Sequence, residues 1–221
     1  MRSFARRKDA SLFMLLLAAL QAVLHTWMGQ REIPIGITVA NRDSIETEPL
    51  IGFFVNELIL VARFGDNTSF DELLAQARAS TLAAYAHQRL PIDKLVRTLQ
   101  PARHPHYAPL YQVQFNLNNT PGGALAFPGI SVVRPFESRK RTAKFDLTIS
   151  LSADGQDVSG WIDYNASLFD ASTMNKLANR FCMLLEAGIG EPLKPIGSLA
   201  LFTESERQTL MNAFGGDITL D

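Results

Sequence analysis

The sequence predicts an α/β domain in which helices pack on a mixed sheet. Apolar residues recur at helical spacing after Ser69 and again after Asp170, whereas residues 111–118 and 145–152 alternate apolar with polar side chains. Helical spacing indicates an amphipathic helix, and strict alternation indicates a half-buried strand. Because both kinds of segment are interleaved along the chain, we expect helices 70–87 and 171–187 to pack on a largely central sheet.

Composition limits the function classes. The chain has 221 residues, of which 47% are hydrophobic and 19% charged, enough for one large domain or two small ones. A net charge of −1 and a pI of about 6.4 give no broad footprint for nucleic acid. The only cysteine is Cys182, so an intrachain disulfide and a thiolate metal cluster are excluded. These features fit a reducing cytoplasm.

The N-terminal segment allows two interpretations. Basic residues between positions 2 and 8 precede an apolar segment from Leu12 to Leu24, which is similar to a signal peptide. Against this, Asp9 lies in the basic part, and the apolar segment is shorter than the roughly 20 residues that span a membrane. Asp9 or Ser11 can cap a helix that ends before Gly29. We favour a buried core helix and no membrane partner, with a targeting segment as the alternative.

The longest later apolar segment runs from Leu50 to Arg63 and predicts a buried strand. Asn56 and Glu57 interrupt it, and buried polar groups need partners or a cavity. The alternative is a bulge or strand break at Asn56.

The other predicted elements follow the same rules. Capping boxes at Ser69–Glu72 and Thr203–Glu206 indicate helix starts, and Asp154-Gly155 indicates a hairpin turn. The predicted strands are 33–39, 111–117, 145–151 and 158–164. The predicted helices are 70–87, a short one at 91–99 with a buried face of Ile92, Leu95, Val96 and Leu99, one at 171–187 closed by Gly188, and a small final one from 203.

Residues with catalytic or metal-binding chemistry are few. His104-x-His106 could supply two metal ligands, but a solvated loop is favoured because no carboxylate or cysteine lies nearby in sequence. His87 fits a helix cap better than a catalytic base, and Cys182 fits packing better than a nucleophile. The sequence has no G-x-S-x-G elbow, no P-loop and no G-x-G-x-x-G opening a helix. We therefore predict no catalytic residue and no metal site.

Three segments resemble a known family. Residues 51–56 read Ile-Gly-Phe-Phe-Val-Asn, residues 87–96 read His-Gln-Arg-Leu-Pro-Ile-Asp-Lys-Leu-Val, and residues 109–115 read Pro-Leu-Tyr-Gln-Val-Gln-Phe. In order and spacing they are similar to I-G-x-F-V-N-T, H-Q-D-x-P-F-E-x-L-V and R-D-x-S-R-x-P-L-F-Q-V-x-F of the condensation domains of nonribosomal peptide synthetases. The resemblance covers nearly the whole chain.

The chain also departs from these patterns. Glu57 stands where the family favours Thr, Arg89 replaces an acid, and Ile92 replaces a Phe. His104, His106 and Tyr107 replace Asp, Ser and Arg in the third pattern. The family's H-H-x-x-x-D-G motif, which carries its proposed catalytic histidine, is absent from the sequence. The departures suggest an altered binding surface.

The resemblance implies a chloramphenicol acetyltransferase-like lobe. In this family two similar lobes form a V with the active-site tunnel between them. Residues 1–199 would be the C-terminal lobe, with a lead-in helix at about 11–28, and the N-terminal lobe that carries the histidine motif would be missing. Residues 200–221 would be a linker helix and tail toward a downstream adenylation domain. The excursion 118–144 would include the segment that crosses to the other lobe.

The family's reaction implies a function and partners. An amine on a downstream carrier-bound aminoacyl thioester attacks an upstream carrier-bound acyl thioester, and both substrates arrive on phosphopantetheine arms. The expected partners are therefore peptidyl or acyl carrier protein domains, and no cofactor is bound by the lobe itself. Candidate tunnel-wall contacts are Asn56, Gln88 and Gln112, which could instead only satisfy buried backbone. The alternative function is a non-catalytic lobe that binds a carrier protein or another partner, or a decayed remnant.

Overall fold

This computed structural model of the chain describes residues 1–42, 44–102, 107–118, 143–154 and 157–199. Its helices are α1 (Arg2–Arg7), α2 (Leu12–Met28), α3 (Phe70–Ala86), α4 (Ile92–Leu99) and α5 (Ala171–Gly190), followed by a short 3₁₀ turn at Ile196–Ser198. Its strands are β1 (Glu32–Val39), β2 (Asn56–Arg63), β3 (Val113–Asn118), β4 (Leu147–Asp154) and β5 (Asp157–Tyr164).

The five strands form one mixed sheet in the order β2-β1-β3-β4-β5. β3 is parallel to both β1 and β4, and β4 and β5 are antiparallel. The register of β4 and β5 runs from Leu147 opposite Tyr164 to Asp154 opposite Asp157. The predicted α/β class, the mixed sheet and the β4–β5 hairpin are therefore confirmed, while Gly155 lies outside the described residues.

The chain divides into two compact units. The first holds residues 1–33, 61–83 and 171–199. Its centre is α2, which contacts α1 and α5 and in which every residue from Met14 to Leu24 is buried. The prediction of a buried helix after Ser11 is confirmed. No helix in the described ranges is both long and apolar enough to cross a membrane.

Local sequence signals set the helix ends in this unit. The Ser11 Oγ accepts a hydrogen bond from the Met14 N–H at 3.2 Å, and Gly29 ends α2 in the left-handed conformation at φ 67°. Ser69 and Glu72 form the predicted capping box at α3, since each side chain bonds the other's backbone N–H. The predicted helix end at Gly188 was wrong, because α5 continues to Gly190. A Cβ on Gly188 would lie 2.6 Å from the Phe70 ring, so close packing explains this glycine.

The second unit holds the described residues of the ranges 34–60 and 84–170. Alternate residues of β1, β3 and β4 supply its apolar core, as period-two patterning predicts. The most buried of these side chains are Ile35, Ile37, Phe115, Leu147 and Ile149.

The predicted buried strand from Leu50 was half wrong. β2 begins at Asn56, and Ile51 and Phe53 before it are 105% and 90% exposed. The Arg42 guanidinium donates hydrogen bonds to the carbonyls of residues 47, 48, 50 and 52. Arg42 occupies the carbonyls of Leu50 and Gly52, which strand pairing would require as hydrogen-bond acceptors. Residues 50–55 accordingly form a loop. The predicted alternative, a bulge or strand break at Asn56, was right only in its position, because β2 begins at Asn56 and residues 50–55 form no strand before it.

Two further predictions of burial were wrong. No residue of α4 is buried, and Leu99 on its apolar side is 58% exposed. Cys182 is exposed on α5 rather than packed. Periodicity marks the apolar side of a helix but does not say what covers it. The predicted helix from Thr203 lies outside the described residues.

Candidate functional site

The Asn56 side chain joins the start of β2 to the connection between α3 and α4. Its Nδ2 donates hydrogen bonds to the carbonyls of Gln88 and Leu90, each at 2.7 Å. Its Oδ1 accepts one from the Ile92 N–H at 3.3 Å. An amide that satisfies three backbone groups fixes the path of that connection. The polar residue in the apolar segment therefore has the partners that its position requires.

The neighbouring Glu57 holds a second set of contacts. The Tyr111 hydroxyl donates to Glu57 Oε2 at 2.6 Å, and Lys144 Nζ lies 2.9 Å from Glu57 Oε1. The Glu57 and Lys144 side chains are 22% and 75% exposed, whereas Tyr111 is only 2% exposed. Both carboxylate oxygens are thus engaged, one by a buried neutral donor and one by an exposed cation.

The Tyr111 ring fits into a space that a glycine leaves. A Cβ built on Gly36 would lie 2.0 Å from Tyr111 Cε2, so no larger residue fits there without moving the ring. On its other side Tyr111 stacks on Phe145 with ring centroids 5.1 Å apart. Lys144 Nζ lies 4.9 Å from the centroid of the same Phe145 ring. We call Gly36, Glu57, Tyr111, Lys144 and Phe145 the Glu57 cluster.

The Glu57 cluster changes the acidity of two of its members. Burial of Glu57 raises its pKa, but the Tyr111 hydrogen bond and the Lys144 ammonium outweigh burial and hold the pKa below the usual 4.5. Burial, together with the Glu57 carboxylate, raises the pKa of Tyr111 far above its usual value. At neutral pH Glu57 is therefore a carboxylate and Tyr111 a neutral phenol.

The structure brings two of the three predicted wall residues together. Asn56 contacts the Gln88 carbonyl, and Gln88 is half-buried. Gln112 is also half-buried, but its Nε2 donates to the Ala108 carbonyl at 2.9 Å and contacts neither of the other two. Gln112 directly follows Tyr111, so the Glu57 cluster links it indirectly to Asn56.

The histidines do not form a site in the described part of the chain. His87 is exposed just after α3, and His25, in the last turn of α2, contacts the Gln30 carbonyl through Nδ1 at 2.7 Å. No group of three or more His, Cys, Asp or Glu residues within residues 1–42, 44–102, 107–118, 143–154 and 157–199 could hold a metal ion. His104 and His106 lie outside these ranges.

Sequence reasoning missed Tyr111, Lys144 and Arg42. Two signals could have found Tyr111: a tyrosine at a core position needs a hydroxyl partner, and Glu57 in an apolar segment needs a donor. No sequence signal pairs Lys144 with Glu57, which lies 87 residues earlier.

Three motifs that are far apart in sequence are therefore joined by the consecutive side chains of Asn56 and Glu57. Asn56 belongs to the first motif and binds the second, and Glu57 binds the third through Tyr111. The model of the family described as the condensation domain matches residues 1–211. The chain belongs to the condensation-domain family.

Curated relatives agree with this assignment. This condensation-domain chain is 40% identical over 213 residues to a linear gramicidin synthase from Brevibacillus parabrevis, and 36% identical over 210 residues to malpinin synthetase from Mortierella alpina. The two alignments cover 96% and 95% of the chain but only 4% and 3% of those relatives. The chain is therefore similar to a small part of each relative.

Solved structures show the fold. The X-domain from teicoplanin biosynthesis superposes with a TM-score of 0.81 at 24% identity, covering 90% of this chain and 46% of that one. The chain thus spans about half of that structure, and its fold is the chloramphenicol acetyltransferase-like one of condensation domains.

Proposed function

We propose that this chain is the C-terminal lobe of a nonribosomal peptide synthetase condensation domain, a lobe that helps form amide bonds between carrier-tethered thioesters. The observation that carries the proposal is the family match over residues 1–211, together with three family motifs gathered on Asn56 and Glu57. Coverage of 46% of the X-domain chain supports one lobe rather than two. Residues 1–199 would form the lobe and 200–221 the linker.

The proposed reaction is acyl transfer to nitrogen. The amine of the downstream aminoacyl group attacks the upstream thioester carbonyl, so a C–N bond forms and the C–S bond breaks. The upstream phosphopantetheine thiol leaves, and the proton lost by the amine balances the thiolate. This chemistry needs positioned reactants and exclusion of water more than an additional nucleophile. The lobe would supply part of the tunnel wall, with Asn56, Gln88 and Gln112 as candidate contacts.

The chain would not catalyse this reaction by itself. None of His25, His87, His104 and His106 lies in an H-H-x-x-x-D-G sequence. A wall without its opposite lobe also leaves both thioesters open to water. Amide formation would therefore require the lobe that carries that motif, whether on the same polypeptide or on another.

The proposed partners follow from this chemistry. Peptidyl or acyl carrier domains would present the two phosphopantetheine arms, and an adenylation domain would load the downstream one in the cytoplasm. A solved four-domain nonribosomal peptide synthetase bound to AMP and glycine matches this chain with a TM-score of 0.83 at 19% identity, which supports the fold of the lobe in such an assembly.

A chimera tests the proposal. Residues 1–211 replace the matching segment of one condensation domain in the linear gramicidin synthase, whose carriers are loaded with their own substrates. We expect condensed product on the downstream carrier by mass spectrometry. Exposed His87→Ala is the control and should leave the yield unchanged. A folded chimera that loads its carriers but forms no product would contradict the proposal.

A second candidate function is partner binding without catalysis. It is favoured by one observation: the X-domain from teicoplanin biosynthesis, solved in complex with OxyB, matches this chain with a TM-score of 0.80. A lobe of this fold can therefore belong to a chain that binds another protein. Carrier binding by the chain, combined with an inactive but folded chimera, would support this candidate over the first.

A further inference from the structure

Two departures from the family patterns contact each other. The first pattern ends in Thr where this chain has Glu57, and the third has Phe where this chain has Tyr111. The Tyr111 hydroxyl donates to Glu57 at 2.6 Å, 54 residues away in sequence. A Thr–Phe pair could not form this bond, because the phenylalanine has no hydroxyl. The Glu57–Tyr111 hydrogen bond therefore joins two of the motifs.

Each partner of this bond depends on the other. Tyr111 is 2% exposed, so water cannot replace Glu57 as an acceptor without a rearrangement. The Glu57 side chain is 22% exposed, and Tyr111 and Lys144 engage its two oxygens. Removing one partner of a buried hydrogen bond leaves an unsatisfied polar group, whereas replacing both partners by apolar groups of the same shape can be nearly neutral.

The bond lies between two of the candidate wall residues. Glu57 follows Asn56, and Tyr111 precedes Gln112, so the bond joins the backbones on which both candidates stand. Asn56 and Gln112 are each tied to carbonyls of other segments, at Gln88 and Ala108. Lys144, just before β4, adds a third attachment through Glu57. A shift at the Glu57–Tyr111 bond would therefore move Asn56 relative to Gln112.

We propose that Glu57 is a positioning residue that, through Tyr111 and Lys144, holds Asn56 and Gln112 at the spacing that recognises a phosphopantetheine-borne acyl group. The inference rests on the proposed function, because the ligand class comes from there. Glu57 itself makes no contact with the reacting atoms in this role. Because Glu57 and Tyr111 bond each other, neither half of the pair should work without the other.

Four variants of the full chain test the inference: Glu57→Thr, Tyr111→Phe, the double variant, and Glu57→Gln. The probe is an acetyl-pantetheine arm in which an amide replaces the thioester, and its affinity is measured by NMR titration of side-chain amide signals. The free energy of unfolding of each variant is measured in urea alongside. This separates loss of fold from loss of spacing.

The pattern across variants decides the outcome. We expect Glu57→Thr and Tyr111→Phe each to raise the probe Kd roughly tenfold, and the double variant to return it to within about threefold of the parent. Glu57→Gln keeps an acceptor for Tyr111 and should bind nearly as the parent does. A purely structural bond would lower stability in the single variants without changing the Kd of the folded fraction.

Different failures identify different errors. If the parent binds the probe and the single variants bind it equally well, the positioning role is wrong while the proposed function stands. A double variant no better than the single ones would also overturn the inference. If the parent chain shows no binding at all, the positioning role is wrong, and the chimera decides separately whether the proposed function stands.

Discussion

The helix α2 and the loop 50–55 have similarly apolar sequences, but most side chains of α2 are buried and most of those of the loop are exposed. Leu15, Leu16 and Leu17 of α2 are at most 1% exposed, whereas Ile51 and Phe53 of the loop are at least 90% exposed. In α2 the backbone groups satisfy one another, so the side chains are free to pack all round. In the loop the carbonyls are taken by Arg42. The two regions differ in the partners of their backbone hydrogen bonds rather than in their hydropathy.

The largest expected effect comes from truncating matched side chains in the two regions. Leu16→Ala should lower the free energy of unfolding by about 2–5 kcal/mol, since it opens a cavity in a closed core. Ile51→Ala should change it by less than about 0.5 kcal/mol, because its side chain is already in solvent. Urea denaturation measures both. Equal losses would mean that the loop is buried in solution.

The second-largest effect should come from losing the Arg42 fork, the guanidinium N–H groups that donate hydrogen bonds to the loop carbonyls. Arg42→Gln removes most hydrogen bonds to the loop carbonyls and the contact with the Phe54 ring, whose centroid lies 4.4 Å from Cζ. We expect about 1–3 kcal/mol of destabilisation and faster hydrogen exchange confined to residues 44–55. Arg42→Lys keeps the charge but not the fork, so it should rescue little. Full rescue by lysine would contradict the role of the fork.

The pH dependence of Glu57 should have a smaller effect. Its lowered pKa means that its stabilisation is present above the usual value of 4.5 and is lost as pH falls through the folded pKa. Glu57→Gln should cost on the order of 1 kcal/mol near neutral pH, reduced by partial exposure, and the difference from the parent should shrink below pH 4.5. Denaturation curves at several pH values measure this. A difference that grows on acidification would refute the assignment.

The stability that Tyr111 contributes should depend on pH in the opposite direction to that of Glu57. Its pKa is raised by burial and by Glu57, so its stabilisation is complete below the usual value of 10 and is lost as pH rises above it. The parent should lose stability above pH 10 more steeply than Tyr111→Phe does. Identical alkaline profiles would mean that the phenol is not buried beside a carboxylate.

Self-association should show the smallest and most concentration-dependent effect. The loop and the residues before it expose Ile45, Leu50, Ile51 and Phe53, and contiguous apolar patches promote association. We expect light scattering to report association at high concentration and Phe53→Ser to reduce it. The matched control is Leu168→Ser, an exposed leucine distant in sequence from the loop. An equal effect of both variants would show that the loop is not responsible.

Sequence reasoning predicted local features well and distant ones poorly. The ends of α2 and α3 and the β4–β5 hairpin depend on residues within a few positions of each other. The exposure of residues 50–55 depends on Arg42, eight to ten positions earlier. The Glu57 cluster depends on contacts over 54 and 87 residues, which no periodicity encodes. Asn56 was singled out because it interrupts an apolar segment, and Gln88 because it stands in a family motif. The wall role of Asn56, Gln88 and Gln112 stays a prediction.

This chain supplies structural contacts between the motifs but not the family's histidine motif. The described side chains hold motifs together, and none of the four histidines stands in the family's histidine motif. The most direct test is to load donor and acceptor carrier domains, add the chain, and follow the dipeptidyl thioester by mass spectrometry. We predict no product above the control without protein. Product formed by the chain alone and abolished by His87→Ala would contradict the account and make His87 the catalytic residue.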